Sequence, residues 1–135
     1  MLSTRHLQVS LRVDNQMPSD GQKVMAMAES LFCHSMFSNL IKNAVEAAPN
    51  DDVINIGFER GADLTIAIDN GGEVAEEIRE HFFDKFVTAG KRHGTGLGTY
   101  SARLIAQTQK GTIALDTSVA GRTCIRVTIP AGNVD

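Results

Sequence analysis

Asn39-Leu-Ile-Lys-Asn43-Ala-Val-Glu46-Ala47 carries two amides and a carboxylate inside an otherwise mainly apolar run. At about 100° per residue, Asn39, Asn43 and Glu46 fall within about 60° of one another on a helix, while Cys33, Phe37, Leu40, Ile41, Ala44 and Ala48 take the other side. The stretch therefore reads as a helix with one packing face and one polar stripe. It starts near Glu29-Ser30 and stops at Pro49-Asn50-Asp51. Amide carbonyls backed by a carboxylate suit a hard cation such as Mg²⁺, which keeps several waters and commonly takes phosphate oxygens as further ligands. A magnesium nucleotide is the expected occupant.

Upstream, Leu7–Val13 alternates as a half-buried strand, followed by turn chemistry at Asp14-Asn15, Pro18 and Ser19-Asp20-Gly21 and a short apolar piece at Val24–Met27. Downstream, Val53–Phe58 and Leu64–Ile68 flank Glu59–Asp63 and read as two antiparallel strands, with Asp69 at the end of the second. Glu73–Glu80 reads as a short amphipathic helix whose four glutamates form a solvated face. A second helix is expected from Gly98 to Thr108, then strands at Thr112–Asp116 and Thr123–Ile129 around the Ala120-Gly121-Arg122 turn, with Ile125, Val127 and Ile129 inward. No internal repeat, low-complexity segment or linker interrupts this order. The expected architecture is a two-layer α/β sandwich, helices on one face of a mixed, mostly antiparallel sheet.

The 135 residues make one domain, expected to bury about two thirds of its unfolded surface. A net charge of −3 with scattered basic residues, apart from Lys91-Arg92, argues against general nucleic-acid binding. Cys33 and Cys124 lie far apart in apolar runs without metal spacing and read as buried thiols in a reducing, cytoplasmic setting. No export signal and no apolar run near the ~18 residues of a membrane span is present, so this segment is expected to make no membrane contact.

Two glycine clusters mark places where backbone can meet a ligand: Asp69-Asn70-Gly71-Gly72 after a strand, and Gly94-Thr95-Gly96-Leu97-Gly98 before a helix. Glycines let backbone N–H groups approach phosphate, and the following helix N-terminus adds partial positive charge. Neither cluster is a P-loop, and Thr99 stands where the third glycine of a dinucleotide fingerprint belongs.

In this order the pieces resemble the catalytic ATP-binding domain of sensor histidine kinases, within the GHKL ATPase superfamily of gyrase, heat-shock chaperones and mismatch-repair proteins. His34–Ala48 resembles the asparagine box, Asp69–Gly72 the first glycine box, Phe82–Phe86 the phenylalanine box and Gly94–Gly98 the second glycine box. Gln109–Ile113 and Gly121–Ile125, ending at Pro130, resemble the closing strands. The resemblance implies that Asn43 coordinates Mg²⁺ with Asn39 assisting and Glu46 beside them. It implies that Asp69 accepts a hydrogen bond from the adenine amino group, Gly71 lets the backbone approach the base, and Thr123 lines the adenine pocket. It assigns Gly94–Gly98, Thr95 and Leu97 included, to the phosphates, and Val87–His93 to a lid from which Lys91 or Arg92 offsets charge on the transferred phosphoryl group. Phe82, Phe83 and Phe86 would be packing that anchors the lid.

The hydrolysing branches of the superfamily carry a glutamate where Asn39 stands, and an amide cannot be a general base. The γ-phosphoryl group is therefore expected to pass to an external histidine rather than to water. The four histidines, His6, His34, His81 and His93, do not open a His-Glu or His-Asp acceptor pattern. His34 reads as structural, His81 as capping a helix end, and His93 as a neighbour of phosphate. The expected partners are thus a helical dimerisation domain bearing the acceptor and a downstream response regulator, with this domain alone a monomer. Glu73 departs from the first glycine box, where a glycine is usual, and is expected to point outward; Gly72 replaces a common proline. The alternatives are a serine kinase of the anti-sigma-factor type and a degenerate docking module without catalysis.

Overall fold

The alternation Leu64, Ile66, Ile68 makes the centre of the fold. In the computed structural model, which describes residues 8–13, 30–49, 51–85 and 98–130, these side chains sit on β3 (Asp63–Gly71) and are all buried. β3 pairs antiparallel with β2 (Val53–Glu59), matching Ile56 to Ile68 and Phe58 to Ile66. On its other edge it pairs antiparallel with β5 (Arg122–Pro130), matching Leu64 to Ile129, Ile66 to Val127 and Ile68 to Ile125. Cross-strand neighbours on one face are thus branched aliphatics, the pairing that best stabilises a half-buried sheet.

β1 (Gln8–Val13) joins β2 in parallel and β4 (Thr112–Asp116) joins β5 antiparallel, giving the order β1-β2-β3-β5-β4. Among the described residues, two helices cover the aliphatic face. α1 (Ser30–Ala47) lies over β3, and α2 (Gly98–Thr108) lies over β4 and β5 and packs against α1. Ala44 of α1 and Ala102 and Ala106 of α2 are fully buried, and these small side chains suit close packing of helix on helix and helix on sheet. The expected two-layer sandwich with a mostly antiparallel sheet is the fold observed. Among the described residues, no helix is long and apolar enough to cross a membrane.

Two details differ from the sequence expectation. The buried face of α1 is Met36, Leu40, Asn43 and Ala44, at i, i+4, i+7 and i+8, so Asn43 lies within the packing face while Ile41 is 37% exposed. The Glu73–Glu80 segment is not an α-helix; a 3₁₀ helix covers Glu76–His81 and buries none of its residues. With Glu76, Glu77 and Glu80 exposed it has too little apolar contact to extend the helix, while Val74 just before it is buried.

The start of α2 is held from the same region. Phe82 is buried, meets Phe83 edge to face at 5.0 Å, and accepts a hydrogen bond at its carbonyl from the buried Thr99 hydroxyl at 3.2 Å. Phe86 lies outside the described residues. At the far end of α2, Lys110 adopts φ 62° and Gly111 donates to Ala106 O at 2.8 Å, which closes the helix in a Schellman-type turn. A Cβ on Gly111 would stand 2.7 Å from Ile129 Cγ2, so the chain enters β4 only with glycine there.

Candidate functional site

The polar stripe of α1 runs along the seam where α2 and the end of β3 meet it. Asn39 is half-buried, and a Cβ built on Gly98, the first residue of α2, would lie 3.9 Å from its Cβ. One turn on, Asn43 is 5% exposed, and its Oδ1 is buried with no hydrogen-bond partner among the described residues. One more turn on, the Ala47 carbonyl lies 3.3 Å from where a Cβ would stand on Gly72, whose φ of 101° only glycine adopts without strain. Glu46 is exposed at the edge of this seam.

An orphaned buried acceptor costs about 1–3 kcal/mol. Folded chains tolerate that where a ligand completes the group, and an amide oxygen of this kind fits a hard cation or a donor. The first N–H groups of α2 have no intrahelical partner and carry its partial positive charge, so its start, beside Asn39, suits an anion. The seam can thus take a cation and an anion side by side. Residues 86–97, with the expected lid Val87–His93, Lys91, Arg92 and the glycine-box residues Gly94, Thr95, Gly96 and Leu97, lie outside the described residues.

At the end of the sheet the two faces separate the remaining candidates. Thr123 is buried on the helix side and donates its hydroxyl to Gly72 O at 2.8 Å. Its cross-strand partner is Asn70, 2% exposed, which donates through Nδ2 to Gly71 O at 2.7 Å. Asp69 points the other way. The buried aliphatics of β3 fall on even positions, so with side chains alternating faces the helix side receives Asn70 and the open side receives Asp69. Asp69, the residue expected to contact the base, thus stands on the open face of the sheet, away from the Asn43 seam.

On the open face Asp69 belongs to a closed ionic cluster. Arg122 reaches Asp69 Oδ2 through Nη2 at 2.6 Å and Nε at 3.2 Å, and Asn55 donates to the same oxygen at 3.1 Å. Through Nη1 Arg122 also meets Asp52 Oδ1 at 2.9 Å, and Nη2 donates to Val53 O at 3.0 Å. Asp52 Oδ2 accepts the Gly71 N–H at 2.7 Å. A Cβ on Gly71 would stand 3.0 Å from either Asp52 oxygen, so glycine at 71 admits this carboxylate. Burial pushes the Asp52 carboxyl up, but the N–H groups of Gly71 and Val53 and the Arg122 guanidinium outweigh it and hold it below its ordinary value. The hydrogen bond with Asp69 raises the Arg122 guanidinium above its ordinary value.

Glu73 points outward, as expected, and its Oε1 accepts the Gly121 N–H at 2.7 Å, tying the end of β3 to the turn before β5. His81, at the end of the 3₁₀ helix, lies 2.8 Å through Nδ1 from Asp84 Oδ2, and Arg103 of α2 reaches the other oxygen of Asp84 at 3.3 Å. His34 is not a packed structural residue; it is exposed on the outer flank of α1 beside Phe37, Ser38, Ile41 and Lys42. Cys124 is half-buried on the open face, where burial pushes its thiol up. That face holds a cavity of about 480 Å³ bordered by Asn55, Asp69, Arg122, Cys124 and Arg126, which the α1 stripe does not line. Asn70, Arg122 and Asp52 are the residues that sequence reasoning passed over. For Asn70 a signal existed, because the period of Leu64, Ile66 and Ile68 continues to 70 and skips 69.

The family model described as histidine kinase-, DNA gyrase B- and HSP90-like ATPase matches residues 28–133. The sensor protein IrlS of Burkholderia pseudomallei is 34% identical over 116 residues, covering 81% of this chain and 25% of the relative. The sensory histidine kinase/phosphatase NtrB of Azospirillum brasilense is 31% identical over 112 residues, covering 70% and 28%. The chain thus spans about a quarter of the length of these relatives. The catalytic domain of histidine kinase ThkA superposes with a TM-score of 0.77 at 24% identity, covering 93% of this chain and 79% of that one. A mycobacterial sensor histidine kinase, MprB, superposes with the same score at 16% identity, over 95% and 84%. At these identities the superpositions establish the fold.

Proposed function

Because the chain belongs to the histidine kinase-, DNA gyrase B- and HSP90-like ATPase family, as a catalytic ATP-binding domain of the sensor-kinase type, we propose that it binds Mg-ATP along the α1 seam. From there it donates the γ-phosphoryl group to a histidine on a helical dimerisation domain in two-component signalling. The observation that carries this reading is the buried Oδ1 of Asn43, unpartnered among the described residues and one turn of α1 beyond Asn39, beside which α2 starts.

The residues fit the magnesium that the family implies: Asn43, with Asn39 beside it, would supply the oxygen donors. When bound, the ion neutralises phosphate charge and fixes the geometry of the phosphoryl group. The remaining work belongs to the chain. The α2 N-terminus holds phosphate oxygens with its free N–H groups, assisted by the residues of 94–97. Thr123 and the Gly72 turn wall the far end of the seam. Lys91 or Arg92 would offset charge on the transferred group. Asn39, an amide, cannot take a proton from water, which disfavours hydrolysis and leaves the phosphoryl group for an incoming imidazole.

The acceptor helix, in the same parent protein or a separate one, and a response regulator beyond it complete the proposed pathway. All 135 residues act in it as one catalytic unit. The test is calorimetric titration with a non-hydrolysable ATP analogue, with and without Mg²⁺, on the wild type and Asn43→Ala. Magnesium-dependent micromolar binding that weakens tenfold or more in the variant is expected, since each tenfold is about 1.4 kcal/mol. Transfer from labelled ATP to a cognate helical domain should then give an acid-labile phosphoamino acid. An acid-stable product would move the assignment to a serine kinase, and absence of binding would remove the nucleotide site.

A further inference from the structure

We propose that Asn70, not Asp69, reads the base in the nucleotide site, and that its amide admits a 6-oxopurine as well as a 6-aminopurine. The proposal rests on the nucleotide reading above and sharpens it to a specificity. Two contacts and an orphan order the seam along α1: Gly98 beside Asn39, the buried oxygen at Asn43, and Gly72 against Ala47. A nucleotide with phosphates at the start of α2 and its metal at Asn43 therefore extends toward the end of β3. Among the described residues, the polar side chains presented there on the helix side are Asn70 and its cross-strand partner Thr123, 2% and 4% exposed. Thr123 spends its hydroxyl proton on Gly72 O.

The acidic neighbour is unavailable. Asp69 lies on the opposite face, where Arg122 and Asn55 occupy it. To turn inward it would have to abandon those bonds and shift β3 by one residue, which would carry Leu64, Ile66 and Ile68 from the core to the open face.

The substitution of amide for carboxylate at the reading position changes the chemistry. An ionised carboxylate only accepts, so it pairs with a 6-amino group and repels a 6-oxo group. An amide offers an acceptor and two N–H donors. Gly71 O uses one Asn70 donor, leaving Oδ1 for a 6-amino group and the second N–H for a 6-oxo group.

The experiment is titration of the wild type with non-hydrolysable ATP and GTP analogues, each with Mg²⁺, followed by Asn70→Asp and Asp69→Asn. The wild-type dissociation constants are expected to lie within about tenfold of one another. Asn70→Asp should widen that ratio by about tenfold or more through loss of the guanine analogue, because an unmatched polar pair in a closed site is strongly rejected. Asp69→Asn should lower the melting temperature and leave the ratio within about twofold. A wild-type preference for adenine beyond about a hundredfold, or a ratio that follows Asp69 instead of Asn70, overturns the inference while leaving ATP binding intact. Failure of both analogues to bind the wild type overturns the nucleotide reading itself, and the inference with it. The wild-type ratio decides the matter even if Asn70→Asp does not fold.

Discussion

The two faces of the sheet at the end of β3 carry similar residue types and put them to opposite uses. On the open face, Asp52, Asp69, Asn55 and Arg122 satisfy one another with hydrogen bonds of 2.6–3.2 Å. On the helix face, one turn of α1 away, Asn43 keeps a buried oxygen with no partner among the described residues. Charge is concentrated where it is neutralised, and incompleteness is found where only neutral amides and hydroxyls stand. Satisfaction, more than polarity, separates a structural clasp from a binding site. An ionic cluster whose charges neutralise one another gains little from a ligand, whereas a buried orphan costs stability that a ligand restores.

The sharpest way to break the clasp is Arg122→Ala. It leaves Asp52 and Asp69 without their cation and should cost about 1–3 kcal/mol in chemical denaturation, since removing one partner of a part-buried, hydrogen-bonded cluster strands the other charges. The affinity for an ATP analogue, measured on the folded variant, should change far less than it does for Asn43→Ala. An affinity loss equal to that of Asn43→Ala would place Arg122 in the site.

The converse experiment is Asn43→Leu. It removes the orphan oxygen and should stabilise the domain by about 1 kcal/mol while abolishing magnesium-dependent nucleotide binding. Loss of both stability and binding would mean that Asn43 is a structural residue with an internal partner.

The acid limb of stability should also report the clasp. The folded-state value of Asp52 lies below its unfolded one, so its contribution is fully present above the ordinary carboxylate value of about 3.9. It is lost as pH falls from there through the lowered folded value. In Asp52→Asn the drop in melting temperature below about pH 4 should be shallower than in the wild type. An identical slope would show that other carboxylates carry the acid response.

The smallest effect is expected at Glu73. Glu73→Gln keeps an acceptor for the Gly121 N–H on an exposed side chain and should shift the melting temperature by less than about 4 °C, with nucleotide affinity unchanged. A marked rise in affinity would mean that the Glu73 charge reaches the phosphates.

Much of the architecture was legible in the chain because it is written in local periods. The 3.6-residue recurrence of apolar residues marked α1 and α2, and strict alternation marked β2, β3 and β5. The expected Gly98–Thr108 helix and Thr112–Asp116 strand have the observed bounds. Asn39 and Asn43 were legible as a stripe because a helix repeats within one segment. The 3₁₀ helix at Glu76–His81 was less so, since a short acidic segment carries too weak a pattern to tell one helix from another.

What the sequence by itself determined is the set of elements, their order, and the amides on α1, since each depends on residues within a few turns. The tertiary structure alone decided which side of each element became the interior. It buried Asn43 while exposing Ile41, gave Asn70 rather than Asp69 to the helix side, and brought Arg122 to Asp69 and Asp52 across separations of 53 and 70 residues. A strand's alternation states that two faces differ. The helices packed against it determine which of them meets the ligand.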